Sequence, residues 1–415
     1  MPTAPAPAAL AGFPYREVAF TKAGRARVGA AERVEDLPPT DVLVLAHGWN
    51  ETATSSRDLY GTILTQVRTA FGEGRRPTLA RTVSVVGLQW PSMILTDDVA
   101  LSTDRLRASI AAALPRRYEP VIDELCQLLR DRPSRDADVS RFMALLGELG
   151  GAVPGSRRDE DGDNAIVASA DPMFDLQALV DPPTAAGLGD VFGRVWRGAQ
   201  VALRATTFWQ MKRRAGTTGA LGLGVILAEL AAKRPDLRVH LVGHSFGARL
   251  IASVLPGLNS ATSTVASMTL LQGAFSHFAF APSLPHELGR AGQLSGLEGQ
   301  VRGPIVATHT RFDTALSSLY PLAARMSGDD AADEDRVARF GALGADGAQG
   351  SPADATTLLA PGGSYTFRPS RVTNVDANAV MNRGGPPDGA HSDLAHREIG
   401  WLIACATGLR RPADE

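Results

Sequence analysis

Cysteine is scarce in this chain, which has only Cys126 and Cys405 among 415 residues. Both lie inside apolar helical patterns, so we expect two buried free thiols and neither a disulfide framework nor a metal site. Residues 1–14 lack the basic start and the continuous apolar segment of a signal peptide, and they predict a disordered tail. Together these features favour a cytoplasmic protein in a reducing compartment.

An excess of charge of either sign is also missing. The chain has 42 Lys and Arg residues against 44 Asp and Glu residues, for a net charge of −2. No basic surplus is present that would attract nucleic acid or an anionic membrane surface. No apolar run approaches the length of a membrane span. The sequence therefore predicts no nucleic-acid partner and no membrane span, and it says nothing about the oligomeric state.

Cofactor and metal motifs are missing as well. No phosphate-loop signature ending in Gly-Lys-Ser/Thr is present. The alternating acids Asp159, Asp161 and Asp163 suggest a calcium loop, but Asn164 and Ala170 stand where that loop needs glycine and glutamate. We therefore expect neither a cofactor nor a bound metal.

What the chain does have is an alternation of short apolar runs with helical patterns. Residues 41–46 are apolar and β-branched, as in a strand that is buried on both faces of a parallel sheet, and residues 55–71 follow as an amphipathic helix. Such alternation predicts an α/β fold with right-handed crossovers. The predicted strands span residues 16–21, 41–46, 82–90, 238–242, 267–272, 304–310 and 371–375.

Two stretches interrupt this alternation. Residues 94–209 show helical spacing and no convincing strand, which predicts a mainly helical insertion. Residues 328–363 are acidic and rich in Ala and Gly, and predict a loop. A final helix is expected over residues 394–407.

The most informative motif is Gly-His-Ser-Phe-Gly at residues 243–247, a G-x-S-x-G pentapeptide. A strand pattern precedes it and a helix pattern follows it, as the motif requires. Glycines two residues before and after Ser245 leave room for a tight strand-to-helix turn that exposes the serine hydroxyl. The sequence therefore predicts a nucleophilic serine, with the N-terminus of the following helix available to stabilise negative charge.

A serine hydroxyl needs a base within hydrogen-bond reach, and the base needs a group that fixes its tautomer. Asp313 comes just after the predicted strand 304–310, and His391 lies in the loop between the last strand and the final helix. These positions predict the order nucleophile Ser245, acid Asp313 and base His391. His396 is the alternative base, although we expect it inside the final helix, and Asp376 and Asp393 are alternative acids.

The chain resembles the α/β-hydrolase family at these motifs and at Leu-Ala-His-Gly-Trp, residues 45–49. The resemblance covers residues 15–93 and 215–410. It implies an α/β-hydrolase fold, with a mostly parallel eight-stranded sheet flanked by helices. Residues 94–214 would be an insertion after the fourth strand, which we interpret as a helical cap over the site.

The resemblance also implies an oxyanion hole formed by the backbone N–H groups of Trp49 and Phe246. His47, Gly48 and His244 would order this region without touching the reacting atoms. We therefore expect a serine hydrolase that cleaves a small-molecule carboxylic ester or thioester through an acyl-enzyme, without a cofactor or metal. Two alternatives remain open, an acyltransferase that uses the same triad and a catalytically silent binding module. Trp196, Phe208 and Trp209 could line an acyl-chain pocket or simply pack within the protein.

Overall fold

The computed structural model describes residues 8–27, 40–72, 83–92, 103–113, 116–151, 191–287, 289–319, 341–385 and 388–409. Its helices and strands are those of an α/β protein. The strands, in chain order, are β1 Ala9–Leu10, β2 Phe13–Ala19, β3 Asp41–Ala46, β4 Val83–Gln89, β5 Arg238–His244, β6 Val265–Leu271, β7 Ile305–His309, β8 Asp354–Thr357 and β9 Val372–Asp376.

The helices alternate with these strands at both ends of the chain. They are α1 Ala53–Gly72, α2 Thr103–Ala113, α3 Glu119–Asp131, α4 Asp136–Gly151, α5 Val191–Thr218, α6 Gly224–Lys233, α7 Phe246–Ala252, α8 Leu343–Asp346 and α9 Arg397–Ala406. A π-helical segment, Gly219–Leu223, joins α5 to α6, and a second one, Ala315–Leu319, follows β7.

The nine strands form one sheet in the order β1-β2-β4-β3-β5-β6-β7-β9-β8. Every neighbouring pair is parallel except β1 with β2, which is antiparallel. In a parallel sheet the carboxyl ends of the strands meet at one edge. Residues 45–49 and 243–247 therefore come together, because β3 and β5 are direct neighbours.

Both faces of the sheet are covered by apolar side chains. On one face α1 and α9 pack together with the sheet in a single core, and Gly400 of α9 lies directly against the backbone of Gln66. Against the other face, Leu223, Ile226, Leu227 and Leu230 of the segment 223–230 adjoin valines and leucines of the four strands β2 to β5. This double burial is why β3 is a continuous apolar run after Asp41.

Three buried polar side chains form a cluster at the amino-terminal side of the sheet. His240 of β5 contacts Asp41 of β3 through Nε2 at 2.9 Å and Ser267 of β6 through Nδ1 at 2.8 Å. All three side chains are buried. These side chains link the neighbouring strands β3, β5 and β6, and their hydrogen bonds satisfy polar groups that would otherwise be costly to bury.

The chain divides into two compact units, one of residues 1–92, 212–317 and 341–415 and the other of residues 93–211 and 318–340. The second unit has its own apolar core, built from α2, α3, α4 and α5. In the described part of that unit all regular structure is helical. The placement of residues 94–214 as a cap over the site stays a prediction.

Several expectations from the sequence need correction. Within the described residues the sheet has nine strands and not the eight that the resemblance implies, and two of them, β1 and β8 at its edges, were not among the seven strands predicted from the sequence. Residues 8–14, expected in a disordered tail, form β1 and the start of β2, where Phe13 is buried in the core. Part of the expected loop 328–363 forms α8 and β8, while residues 328–340 lie outside the described residues.

The membrane expectation also changes. One helical segment, Met211–Lys233, is long and apolar enough to cross a membrane by length and composition, with a mean hydropathy of 1.5 over its most apolar window. Half of that window is buried inside the protein. Its apolar character is therefore at least partly explained by packing against the sheet.

Candidate active site

The candidate nucleophile Ser245 sits at a sharp turn between β5 and α7. Its backbone has φ 57° and ψ −123°, a conformation that non-glycine residues adopt rarely and that is found at strained functional turns. A Cβ on Gly243 would overlap the carbonyl of Gly247, and a Cβ on Gly247 would overlap the carbonyl of Ala46. The two glycines of the pentapeptide are therefore required by the close approach of β3, β5 and α7.

The structure brings Ser245, His391 and Asp313 together. His391 Nε2 is 2.9 Å from Ser245 Oγ, and His391 Nδ1 is 2.7 Å from Asp313 Oδ2. The carboxylate only accepts, so His391 Nδ1–H donates to it and leaves Nε2 as an acceptor for the serine hydroxyl. This is the tautomer that a general base needs in order to take the proton of Ser245.

Burial within this group increases from base to acid. The side chain of His391 is 14% exposed, whereas that of Asp313 is fully buried. The carboxylate of Asp313 also accepts the backbone N–H of Leu316 at Oδ1, 3.0 Å away, and faces the Gln272 amide at Oδ2. Asp313 is thus held by several donors, whereas His391 keeps a small exposed fraction.

Two loops meet to fix the distance between base and acid. The backbone N–H of Ala390 donates to the carbonyl of Phe312 at 2.8 Å, and the N–H of Ala315 donates to the carbonyl of Asp388 at 3.3 Å. Gly389 has φ 58°, and a Cβ there would overlap the Phe312 carbonyl. Glycine at this position therefore allows the loop that carries His391 to lie directly on the loop that carries Asp313.

The charge of Asp313 controls the titration of His391. Burial lowers the pKa of His391, but the charge of Asp313 and its hydrogen bond raise that pKa more, with a smaller contribution from Asp388. The pKa of His391 therefore stands above its ordinary value of 6.5. Stabilising the charged imidazole in this way is what an acid partner supplies when the base takes a proton.

His244 lies on the other side of the base and does not contact the serine hydroxyl. Its Nε2–H donates to the backbone carbonyl of His391 at 2.8 Å, and the centres of the two rings are 4.9 Å apart. Burial and the neighbouring His391 lower the pKa of His244 to about 3, so its ring is neutral. His244 therefore contacts the backbone of His391, and its expected role in ordering the region around the oxyanion hole stays a prediction.

The loop of His47, Gly48 and Trp49 runs beside the nucleophile. A Cβ on Gly48 would lie 3.0 Å from Ser245 Cβ and 3.4 Å from Ser245 Oγ. The ring of Trp49 packs edge-on against that of Phe246, with 6.4 Å between ring centres. Phe246 begins α7, so its N–H precedes the first intrahelical hydrogen bond. The two residues expected to form the oxyanion hole are therefore neighbours of each other and of Ser245.

Contacts of His47 with Trp90 and Tyr60 hold this loop in place. Its ring stacks on Trp90, whose indole N–H donates to the His47 carbonyl at 2.9 Å, and its backbone N–H donates to the Tyr60 hydroxyl at 3.0 Å. Burial lowers the pKa of His47 to about 4, so the ring is neutral. The backbone of His47 is thus held by Tyr60 of α1 and by Trp90, which directly follows β4.

The alternative base and acids lie elsewhere. His396 bonds Asp393 at 2.7 Å and stands just before α9, so the expectation that it lies inside the final helix was wrong. The other oxygen of Asp393 accepts the backbone N–H groups of Asn382 and Arg383, which holds a loop and caps no helix. Asp376 accepts the backbone N–H of Asn378.

Of the three aromatic residues suggested for an acyl pocket, the structure describes the side chain of Trp196 alone. Trp196 is buried in the core of the helical unit, where its ring packs edge-on against Phe142 and its indole N–H donates to the Pro133 carbonyl. Packing therefore explains Trp196. The side chains of Phe208 and Trp209 lie outside the described part of the structure. Within the described residues, His, Cys, Asp and Glu side chains form no group of three that could hold a metal ion.

Sequence reasoning missed Gln272, the first residue after β6. Its amide nitrogen is 3.3 Å from Asp313 Oδ2, and its side chain is fully buried. The available signal was a single polar residue at the carboxyl end of an apolar strand. Because parallel strands end at one edge, such a residue falls beside the other strand-end groups.

Comparison with known proteins gives no match to a family model, to a curated protein or to a solved structure. The chemistry of the site is therefore inferred from the geometry of this chain.

Proposed function

We propose that this protein is a serine hydrolase of the α/β-hydrolase type that cleaves a carboxylic ester or thioester. The observation that carries the proposal is the hydrogen-bonded series from Ser245 Oγ through His391 to Asp313, with distances of 2.9 and 2.7 Å. The mostly parallel sheet and the strained turn at Ser245 support it, because an α/β-hydrolase has such a sheet and carries its nucleophile on such a turn.

In the proposed reaction, Ser245 Oγ attacks the substrate carbonyl while His391 Nε2 takes the hydroxyl proton. Asp313 stabilises the charged imidazole, and the backbone N–H groups of Trp49 and Phe246 stabilise the oxyanion. His391 then gives the proton to the leaving alcohol or thiol, and an acyl-enzyme forms on Ser245. Water, deprotonated by His391, releases the acid and restores the serine.

A panel of p-nitrophenyl esters and acyl thioesters of increasing chain length tests this function. We expect product release with a carboxylic acid as the second product, measured by absorbance and by mass spectrometry. Adding a competing alcohol separates the alternatives, since an acyltransferase forms a new ester in preference to the acid. Failure to turn over any ester or thioester would contradict the proposal and favour a binding module.

The pH dependence of kcat/KM gives a more specific prediction. His391 must be neutral to act as a base, and its pKa is raised above 6.5 by Asp313. Activity is therefore lost as the pH falls through that raised value, and we expect an acid limb with an apparent pKa above 6.5. The profile is measured with an ester whose hydrolysis without enzyme is slow. A His396→Gln variant should keep the same acid limb, and a limb well below 6.5 would exclude His391 as the titrating base.

A further inference from the structure

The end of β6 and the turn that follows it are hydrogen-bonded to the backbone N–H and the backbone carbonyl of Ser245. Ser245 N–H donates to the Leu271 carbonyl at 3.0 Å, and Ala274 N–H donates to the Ser245 carbonyl at 3.2 Å. Between these contacts Gln272 has φ 45°, in the left-handed region that non-glycine residues seldom occupy. Such strain persists where the surrounding contacts hold it in place, and it is concentrated at functional sites.

The side chain of Gln272 is fixed by partners that leave one orientation. Thr308 Oγ1 lies 2.9 Å from the amide oxygen, and the Gly344 carbonyl lies 3.1 Å from the amide nitrogen. A carbonyl can only accept, so the nitrogen must face Gly344 and the Thr308 hydroxyl must donate to the oxygen. Thr308 Oγ1 also accepts the backbone N–H of Gln272 at 3.2 Å. The fully buried amide therefore has a defined direction.

In this orientation the Gln272 amide presents an N–H to Asp313. The nitrogen is 3.3 Å from Asp313 Oδ2, the same oxygen that accepts His391 Nδ1–H at 2.7 Å. The other oxygen, Oδ1, accepts the Leu316 N–H. Gln272 is thus the side chain that connects the turn around the nucleophile with the carboxylate that faces the base.

We propose that Gln272 is a positioning residue, which holds the Asp313 carboxylate in line with His391 and disperses the negative charge on Oδ2. The proposal rests on the proposed hydrolase function, since it assigns a role within that site. Gln272 acts only through Asp313. Leu271 and Ala274, on either side of it, hold the backbone of Ser245, and the Gln272 side chain between them aligns the acid.

The substitution that isolates this role is Gln272→Met, which keeps the length of the side chain and removes the amide. Loss of a hydrogen bond to a charged group should lower kcat about 10-fold or more, with KM nearly unchanged because no substrate contact is lost. Removing the N–H also leaves more negative charge facing the imidazole, so the pKa of His391 should rise. In the part of the chain that the structure describes, the charged or titratable groups that face His391 are Asp313, Asp388 and His244.

The test combines steady-state kinetics with an NMR titration of ¹³C-labelled histidines, in which a His391→Asn variant assigns the signal. Thr308→Val, which removes only the hydroxyl that directs the amide, should shift kcat and the His391 pKa in the same direction by less. It also replaces Gln272→Met if that variant fails to fold. Thr269→Val, a buried change elsewhere in β6, is the matched control and should change neither.

The outcomes separate the two proposals. A lower kcat together with a raised His391 pKa supports the positioning role of Gln272. A lower kcat with an unchanged His391 titration would mean that Gln272 serves packing alone, and would overturn it, as would no change in either quantity. If the wild-type chain turns over no ester, the hydrolase proposal fails, and the His391 titration alone decides whether Gln272 acts on Asp313.

Discussion

Replacing Ser245 with Ala should lower the turnover of an activated ester by about 10⁴- to 10⁶-fold, the range expected when the nucleophile of a triad is removed. The expectation follows from the contact between Ser245 Oγ and His391 Nε2 at 2.9 Å, because no acyl-enzyme can form without that oxygen. The free energy of unfolding should change little, because Ser245→Ala removes only the hydroxyl and keeps the Cβ and the backbone. The measurement is kcat/KM for the best ester of the panel, with a thermal melt of each variant.

Ser253→Ala provides the control for this substitution. Ser253 follows α7, and its hydroxyl donates to the Arg249 carbonyl and not to His391. We expect near wild-type turnover from this variant. Residual activity of Ser245→Ala within 100-fold of the wild type would mean that another group attacks the substrate.

Replacing Asp313 with Asn should lower kcat by about 10⁴-fold, because an amide in place of the carboxylate favours the wrong tautomer of the base. It should also reverse the pKa shift of His391. Burial lowers that pKa and the charge of Asp313 raises it, so without this charge burial outweighs the smaller raising contribution of Asp388. The acid limb of the residual activity should therefore move from above 6.5 to below it.

Asp376→Asn is the matched control, because Asp376 ends the neighbouring strand β9 and bonds the Asn378 backbone. Its kcat and its acid limb should match the wild type. An Asp313→Asn variant that loses activity without moving the acid limb would indicate lost folding or positioning and not lost charge. Equal losses in the Asp313 and Asp376 variants would contradict the assignment of the acid.

Much of the sheet could be predicted because its strands are buried on both faces. Burial in a parallel sheet favours apolar runs, and residues 42–46 show one clearly, while residues 238–242 are apolar except for Arg238 and His240. The turn at Ser245 was also visible, since steric limits at a strand-to-helix turn require the two glycines of the motif. Asp313 and His391 were predicted from strand ends and from the family order, and the structure places His391 beside Ser245 and Asp313 beside His391.

The edges of the sheet could not be predicted in the same way. β1 has two residues and β8 has an alternation of half-buried and exposed side chains in an Ala- and Thr-containing stretch, so neither carries an apolar run. Edge strands bury one side at most, and their signal in a sequence is correspondingly weak. The start of the final helix was placed three residues early for a similar reason, because boundaries depend on local contacts such as that of His396 with Asp393.

Gln272 shows a second limit of sequence reasoning. A glutamine that ends an apolar strand has many possible roles, and its direction is decided by Thr308 and Gly344, which are distant in sequence. Only the register of β6 against β7 and the path of the chain to α8 bring these groups together. The supporting residues of a site are fixed by such long-range contacts, whereas the nucleophile is fixed by its immediate neighbours.

The proposed function depends on an activated hydroxyl at Ser245, and covalent labelling by a fluorophosphonate reports on that activation. The wild-type chain and Ser245→Ala are treated in parallel, and the intact mass and the modified peptide are determined by mass spectrometry. We predict one adduct on the wild type, located on Ser245, and none on the variant. If the wild type carries no adduct, or carries it on another serine, Ser245 is not the activated nucleophile.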